Sequence, residues 1–423
     1  MTYSDCLSYL QRLGNEVLTM KFGLDTIRKL CEQLGGVHRA FPAVVVAGTN
    51  GKGSTARFLA AAATAGGLRT GLFTSPHLVR VTERIHVDGA EIVPDEFAAS
   101  FSAVVDKGSG GALPAHPTFF EMLTATALLH FARVQVDLAV LEVGMGGRLD
   151  STNVVDPVVS VLTPIGLDHQ QYLGATIPLI AREKAGILRR GAPAWSALQV
   201  PEAAAVLETV AWELGALLHF VTGREAVGIG EEDGRCSFSV DGVAYRLAAP
   251  GRFQVNNAVL AARAVQELEK VGLRVDPAAA AAGMGSVQVP GVLQVVEGTP
   301  RMYVDGAHNP DAASRLADFV STWVGRPRHL VFGIMADKDV GGVLGLLAPL
   351  FDRVVLTRVR SPRAADPDLL RQRWCPRAEV VEDSLAALEL ARQDAMAVVV
   401  AGSFYLAGEI LAAVAPVEAG LRS

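Results

Sequence analysis

Five small or β-branched residues, Ala43-Val44-Val45-Val46-Ala47, end at Gly48 and run on as Thr49-Asn50-Gly51-Lys52-Gly53-Ser54-Thr55. An alanine-rich stretch of helical character follows from Thr55. No other feature narrows the possible folds as far. An unbroken apolar run of this length suits a strand covered on both faces, as in parallel sheets. The glycines let the backbone curl so that several N–H groups face inward, and the start of a helix adds partial positive charge. Strand, glycine loop and helix together form a cradle for phosphate, with Lys52 able to lie along the β- and γ-phosphates of a nucleotide. The spacing differs from the common G-x-x-x-x-G-K-[ST] loop, because a glycine follows the lysine before the hydroxyl residue. The bland alternative is a glycine-rich turn with an exposed lysine, and the strand–loop–helix context weighs against it.

The same form recurs in Val136 to Val143 and Val158 to Thr163, apolar runs that end in polar residues and glycines. Such strands, separated by helical stretches, predict an α/β fold with a mostly parallel sheet. Ligands in open α/β sheets gather at the carboxyl ends of the strands, where the motif-rich segments of this chain begin. From Glu225 to Ala249 the texture changes to that of a hairpin with an Asp241-Gly242 turn. Asn256 to Leu273 is helical in pattern. Glycine and proline interrupt between Gly283 and Gly291, and a second α/β series follows at 301–304, 330–332, 354–357 and 397–401. A chain of 423 residues is too long for one comfortable core. A domain boundary is expected near Pro290, dividing 1–289 from 290–423.

With 19% charged residues and a formal charge of -6, the chain has no electrostatic footprint for nucleic acid. An anionic substrate must then meet local positive charge, from Lys52, helix N-termini or metal ions. The four cysteines are scattered without CxxC spacing, which disfavours a disulfide framework or zinc cluster and suits a reducing compartment. The first residues lack the basic and apolar regions of a signal peptide, and no run approaches the ~18 apolar residues of a membrane span. A cytoplasmic protein without membrane or nucleic-acid partners is expected.

Three further constellations carry chemistry. Glu142, in LEVGMGGRLD, and His169, in GLDHQQYLG, fall at or just beyond predicted strand ends. They could share magnesium bound to nucleotide phosphates, although magnesium usually prefers oxygen ligands to imidazole. Taken alone, Glu142 could equally be a surface acid and His169 a cap or core histidine. Lys184, in AREKAGI, is by spacing alone an ordinary solvated helix lysine. Asp305, in DGAHNP after a predicted strand, is placed either to hold a ribose hydroxyl or to open an Asp-Gly turn before a helix.

Together these segments resemble the folylpolyglutamate synthase and dihydrofolate synthase family of the Mur ligase superfamily. The resemblance takes in AGTNGKGST (47–55), TSPHL (74–78), ERI (83–85), TFFE (118–121) and LEVGMGGRLDSTN (141–153). It continues through Asp168-His169, REKAGI (182–187), DGAHNP (305–310), DKD (337–339) and AGSFYLAGE (401–409), all in family order. It implies a P-loop-type central ATPase domain over 1–289, with a mostly parallel sheet, followed by a Rossmann-like ligase domain over 290–423. By the same resemblance Thr49, Asn50, Gly51, Lys52, Gly53 and Ser54 would cradle ATP, with Asn257 near the adenine and Asp305 a further ATP contact. Ser75 and Glu142 would ligate one magnesium ion and His169 would help hold a second. Lys184 would be carried as a carbamate, which reverses the reading from its spacing. Thr118, Phe119, Phe120, Glu121, Leu149, Asp150 and Ser151 would line the pterin side, and His308 and Ser403 would handle the incoming L-glutamate. Lys52, Lys184, His308 and Ser403 are thus the expected catalytic set, in a monomer acting on folate or dihydropteroate.

The implied reaction transfers the γ-phosphoryl group of ATP to a carboxylate, and the glutamate amine then displaces phosphate from the acyl phosphate. Two departures from the family pattern stand out. Where members have Pro-Gly-Arg, with the arginine reaching ATP, this chain has Pro290-Gly291-Val292, leaving Arg301 or Arg363 to compensate. Phe253-Gln254 replaces the superfamily's His-Asn near Asn257. Two other readings remain open: another Mur-type ligase, acting on a peptidoglycan precursor or cyanophycin, and a degenerate ATP-binding module. Folate-stimulated ATP turnover separates them.

Overall fold

The computed structural model describes residues 1–14, 23–109 and 113–414. The first eight strands are β1 (Ala43–Ala47), β2 (Thr70–Phe73), β3 (Ile85–Val87), β4 (Ala90–Glu91), β5 (Leu138–Glu142), β6 (Val159–Leu162), β7 (Pro193–Ser196) and β8 (Leu217–Phe220). They form one sheet in the order β4-β3-β2-β5-β1-β6-β7-β8. All neighbours are parallel except at the β3 and β4 edge, where pairing is antiparallel. Alternate side chains of β1 point to opposite faces, as the pleat demands. Val45 enters the apolar cluster that holds Leu128 and Phe131, while Val44 and Val46 enter the one that holds Phe58, Leu59 and Val259. Burial on both sides explains why this strand reads as an unbroken apolar run rather than an alternating one.

Strands β9 (Val227–Glu232), β10 (Arg235–Val240) and β11 (Val243–Pro250) make a small antiparallel sheet. The turn at Asp241 (φ 49°) and Gly242 (φ 82°) sits where the sequence put it. The third strand, β9, was not separable by pattern because glycines interrupt Val-Gly-Ile-Gly. The helical stretch expected from Asn256 runs from Phe253 to Leu268, continues as a short 3-10 turn through Val271, and stops at Gly272.

The last six strands are β12 (Gln294–Val296), β13 (Arg301–Val304), β14 (Arg328–Phe332), β15 (Arg353–Leu356), β16 (Glu379–Val380) and β17 (Ala397–Ala401). Their order is β12-β13-β17-β14-β15-β16, and every pair but β12 with β13 is parallel. This sheet has its own apolar clusters, and the change from the first set to the second falls between Val289 and Leu293.

Strand order determines which chain segments meet. In the first sheet β2, β5, β1 and β6 lie side by side, so the segments leaving their carboxyl ends are neighbours: Thr74-Ser75, Glu142, the glycine loop and Thr163 to His169. In the second, β13, β17 and β14 are adjacent, which gathers Asp305 to His308, Gly402-Ser403 and Gly333 to Lys338.

Candidate active site

Gly48 (φ 149°) and Gly51 (φ 88°) hold the loop in conformations that side chains resist. A Cβ on Gly48 would stand 1.8 Å from Thr163 Oγ1, and one on Gly51 would stand 2.7 Å from Asn257 Oδ1. The loop is tied to the segment after β6: Thr49 N–H donates to Pro164 O (2.9 Å), and Thr49 Oγ1 donates to Gly166 O (3.0 Å). The following helix spans Lys52–Ala65, three residues earlier than its alanine content suggested. Its first-turn amides have no intrahelical acceptor and remain free for an anion. Lys52 curls back so that Nζ donates to Thr49 O at 3.1 Å.

A cavity of about 290 Å³ opens over this loop. The first sheet contributes Lys52, Ser75, Phe120, Glu142, Asp150, His169 and Lys184 to its wall, and the second sheet contributes His308, Lys338, Arg363 and Ser403. Glu142 is 4% exposed. Its Oε2 accepts from Ser75 N–H at 2.9 Å, and its carboxylate lies against Gly53. Burial raises its pKa, and the Lys52 charge works against that rise. His169 follows Asp168 in a left-handed turn (φ 51°), and its Nδ1 is buried without a hydrogen-bond partner. Burial pushes the imidazole down to about 3, which keeps it neutral and its lone pair available.

These donors suit a divalent ion. Glu142, Ser75 and His169 line the same cavity beside the glycine loop, and the His169 Nδ1 lone pair has no partner. Among the described residues no group of three or more His, Cys, Asp or Glu side chains could cage a metal alone. Magnesium commonly binds through one or two carboxylates and completes its shell with phosphate oxygens and water, so the partial set fits.

Lys184 is buried, and Nζ donates to Gly48 O at 2.7 Å. Burial, and then the nearby Lys52 charge, bring its pKa down to about 7. Across the cavity, His308 lies between Gly306 O (2.8 Å) and Asp168 Oδ2 (3.2 Å), edge-on to the Phe404 ring. Lys338 Nζ reaches Asp168 Oδ1 at 2.5 Å. Burial pushes the Asp168 carboxyl up, but the hydrogen bond and charge of His308 and the charge of Lys338 hold it well below the usual range. Asn50, in the loop, exchanges hydrogen bonds with Asn309 (3.2 and 3.1 Å) and donates to Asp311 (2.7 Å). Ser403 is buried, and its Oγ accepts from Tyr405 N–H at 3.0 Å.

Several expected residues stand behind the cavity rather than on its wall. Asp305 spends both carboxylate oxygens on backbone, with Oδ2 accepting from Leu293 N–H and Oδ1 from Ala307 N–H, each at 2.8 Å. These bonds fix the carboxylate at the Asp-Gly turn, and Asp305 does not line the cavity. Asn257 is buried against Gly51 and donates to Gln254 Oε1 at 2.9 Å, which makes it a support of the loop. Thr118 and Glu121 close a capping box on the helix Phe119–Arg133. Phe119 lies 5.4 Å under the Arg84 guanidinium, and Ser151 is 3.1 Å from Thr124 Oγ1. Leu149 is also off the wall, which leaves Phe120 and Asp150 of the seven pterin-side residues on it. Asp150 itself caps the short turn Ser151–Val154.

Residues 46–265 match the Mur ligase middle domain, and residues 293–404 match the Mur ligase, glutamate ligase domain. A dihydrofolate synthase/folylpolyglutamate synthase of Mycobacterium tuberculosis is 40% identical over 375 residues, covering 82% of this chain and 76% of the relative. This chain belongs to that family of Mur ligases. Solved Mur ligases of the family superpose over nearly the whole chain. E. coli FolC in complex with DHPP and ADP aligns with a TM-score of 0.86 at 34% identity, covering 98% of this chain and 97% of that one. A bifunctional folylpolyglutamate synthase/dihydrofolate synthase with Mn, AMPPNP and L-glutamate bound aligns at 0.84 and 33% identity, covering 98% of each.

On this Mur ligase frame, Arg301 pairs with Asp233 and Glu297 and does not line the cavity. Arg363 does line the cavity, with Nη2 at 2.8 Å from both oxygens of Asp337. Sequence reasoning gave no role to Asp168, Lys338, Asn309 or Arg57. The first three lie inside quoted motifs, so position in a motif was the available signal. Arg57 carried none.

Proposed function

We propose that this chain is an ATP-dependent ligase that joins L-glutamate to folate or dihydropteroate through an acyl phosphate. One observation carries the reading. The phosphate loop with Lys52, Glu142 and His169 faces His308 and Ser403 of the second sheet across a single cavity. The ligands of the related structures, a nucleotide with DHPP or with Mn and L-glutamate, support the same substrates here. The reading takes residues 1–289 as the ATPase domain and 290–423 as the ligase domain.

A carboxylate resists attack by an amine because its charge repels the nucleophile and oxide is a poor leaving group. Phosphoryl transfer from ATP supplies a good one. Lys52 and the first-turn amides of its helix would neutralise charge on the transferring group. Ser75, Glu142 and His169 would hold magnesium, which when bound lends Lewis acidity to the phosphoryl oxygens. Residues of the second sheet, His308 and Ser403 among them, would receive glutamate, and closure of the cavity would keep water from the acyl phosphate. With its pKa near 7, the Lys184 amine is substantially unprotonated at neutral pH. Its nitrogen can then bond to the carbon of CO₂, releasing one proton to solvent and leaving a carbamate anion. The remaining N–H could still donate to Gly48 O.

The protein is further proposed to be a cytoplasmic monomer. All four cysteines are free, which suits a reducing compartment, and among the described residues no helix is long and apolar enough to cross a membrane. Incubation with ATP, magnesium, L-glutamate and either dihydropteroate or tetrahydrofolate should yield a product heavier by one glutamyl residue, read by mass spectrometry. Lys52→Ala should abolish that product while the protein stays folded. No extension of either acceptor would overturn the proposal.

A further inference from the structure

The cations on the cavity wall are not equivalent. Lys338 faces Asp168 and Arg363 faces Asp337, so each is matched by a carboxylate. Lys184 approaches neutrality through burial. Lys52, the phosphate-loop lysine, makes one bond to a carbonyl. That leaves Arg57, on the same helix as Lys52 and at the wall of the same cavity. Its hydrogen bond runs from Nη2 to the Thr74 hydroxyl at 3.3 Å, and among the described residues no carboxylate lies within ion-pair distance of it. Burial lowers the Arg57 pKa, and the charges of Glu142, Glu83 and Glu91 oppose that fall without any of them pairing with it directly. Glu83 is committed elsewhere, accepting from the amides of Leu78, Val79 and Arg80.

A guanidinium keeps its charge in protein and presents five donors in a planar fork that matches carboxylate and phosphate. At Arg57 one donor is used, and the residue lines the cavity. Thr74, which anchors it, directly precedes Ser75, so the fork lies beside the proposed site of phosphoryl transfer. The Pro290-Val292 wall, where the family pattern leads one to expect an arginine, borders the same space without offering a charge.

We propose that Arg57 is an oxyanion-binding residue of the active site, holding either a nucleotide phosphate or the carboxylate that is to be extended. The proposal rests on the ligase reading above, and direct binding measurements let the two fail separately. Dissociation constants for ADP, and for dihydropteroate in the presence of ADP, are measured on wild type, Arg57→Met and Arg57→Lys by calorimetry, with thermal unfolding alongside. Loss of a charge-assisted contact should weaken one ligand by about ten-fold or more in Arg57→Met. Weakening confined to ADP assigns the phosphate, and weakening confined to dihydropteroate assigns the carboxylate. Where turnover is measurable, the matching KM should rise more than kcat falls. The fork is part of the proposal, so Arg57→Lys should bind several-fold more weakly than wild type, and it serves as the test if Arg57→Met does not fold. Unchanged constants for both ligands in a folded variant overturn the proposal, whatever the melting temperature does. A wild-type protein that binds ADP but extends no acceptor overturns the ligase reading instead.

Discussion

Lys184 shares a wall of the cavity with Lys52, and burial takes its amine toward neutrality. Lys184 is buried with a carbonyl for its partner, and its pKa near 7 makes it a nucleophile toward CO₂. Protein prepared free of CO₂ should therefore be poorly active and regain activity with bicarbonate, more completely at pH 8 than at pH 6, where the amine is mostly protonated. Lys184→Ala should be inactive and partly rescued by acetate. Bicarbonate-independent turnover would remove the carbamate from the mechanism. Asp305 shows the opposite shift, its carboxyl pushed by burial from 3.8 to about 6. The folded chain then binds this proton more tightly than the unfolded one. The associated stability is full below about pH 4 and is lost as pH rises through 6, by up to roughly 3 kcal/mol. Against Asp305→Asn, which cannot titrate, urea unfolding of the wild type should lose stability between pH 4 and pH 7. A constant difference across that range would contradict the shift.

The segment Pro290 to Leu293 joins the two sets of cores, and Val292 packs against the apolar cluster of the first sheet while bordering the cavity. An arginine there would add a charge-assisted bond to ATP of about 1.5–3 kcal/mol. Val292→Arg should lower the KM for ATP about ten-fold if no other group has taken the role. If Arg363 has taken it, Val292→Arg should do little and Arg363→Ala should be costly. Kinetics of the two variants distinguish loss from relocation, and unchanged ATP dependence in both would remove this segment from the nucleotide site. The strands were legible because burial on both faces leaves an apolar run that composition alone reveals, as in β1 and β17. The glycine loop was legible because its backbone shape restricts the residue types. What stayed hidden depends on distant partners. Nothing near Asp305 in sequence announces that it will accept from the Leu293 and Ala307 amides, and nothing near Arg57 says that no carboxylate will pair with it directly. Thr118 and Glu121, which the resemblance places on the pterin side, also have the i, i+3 spacing of the capping box they form.

Asp168, between the first sheet and Lys338 and His308 of the second, is the main polar tie across the cavity, with Asn50 and Asn309 as a second. Removing one member of a buried pair leaves the other uncompensated. Lys338→Met should thus loosen the two halves, raising the radius of gyration in X-ray scattering and lowering kcat at saturating substrates, with ADP affinity little changed. An unaltered radius and kcat would show the tie to be incidental. The divided cavity also bears on how ATP is spent. On the proposed reading the half with the glycine loop would bind the nucleotide without His308 or Ser403, and the half that carries them would have no phosphoryl donor of its own. Productive chemistry then needs both events in one interval, so the molecule operates as a conjunction of two inputs. If the assembly that admits the amine is also the one that shuts the door on water, ATP breakdown without glutamate should run slowly.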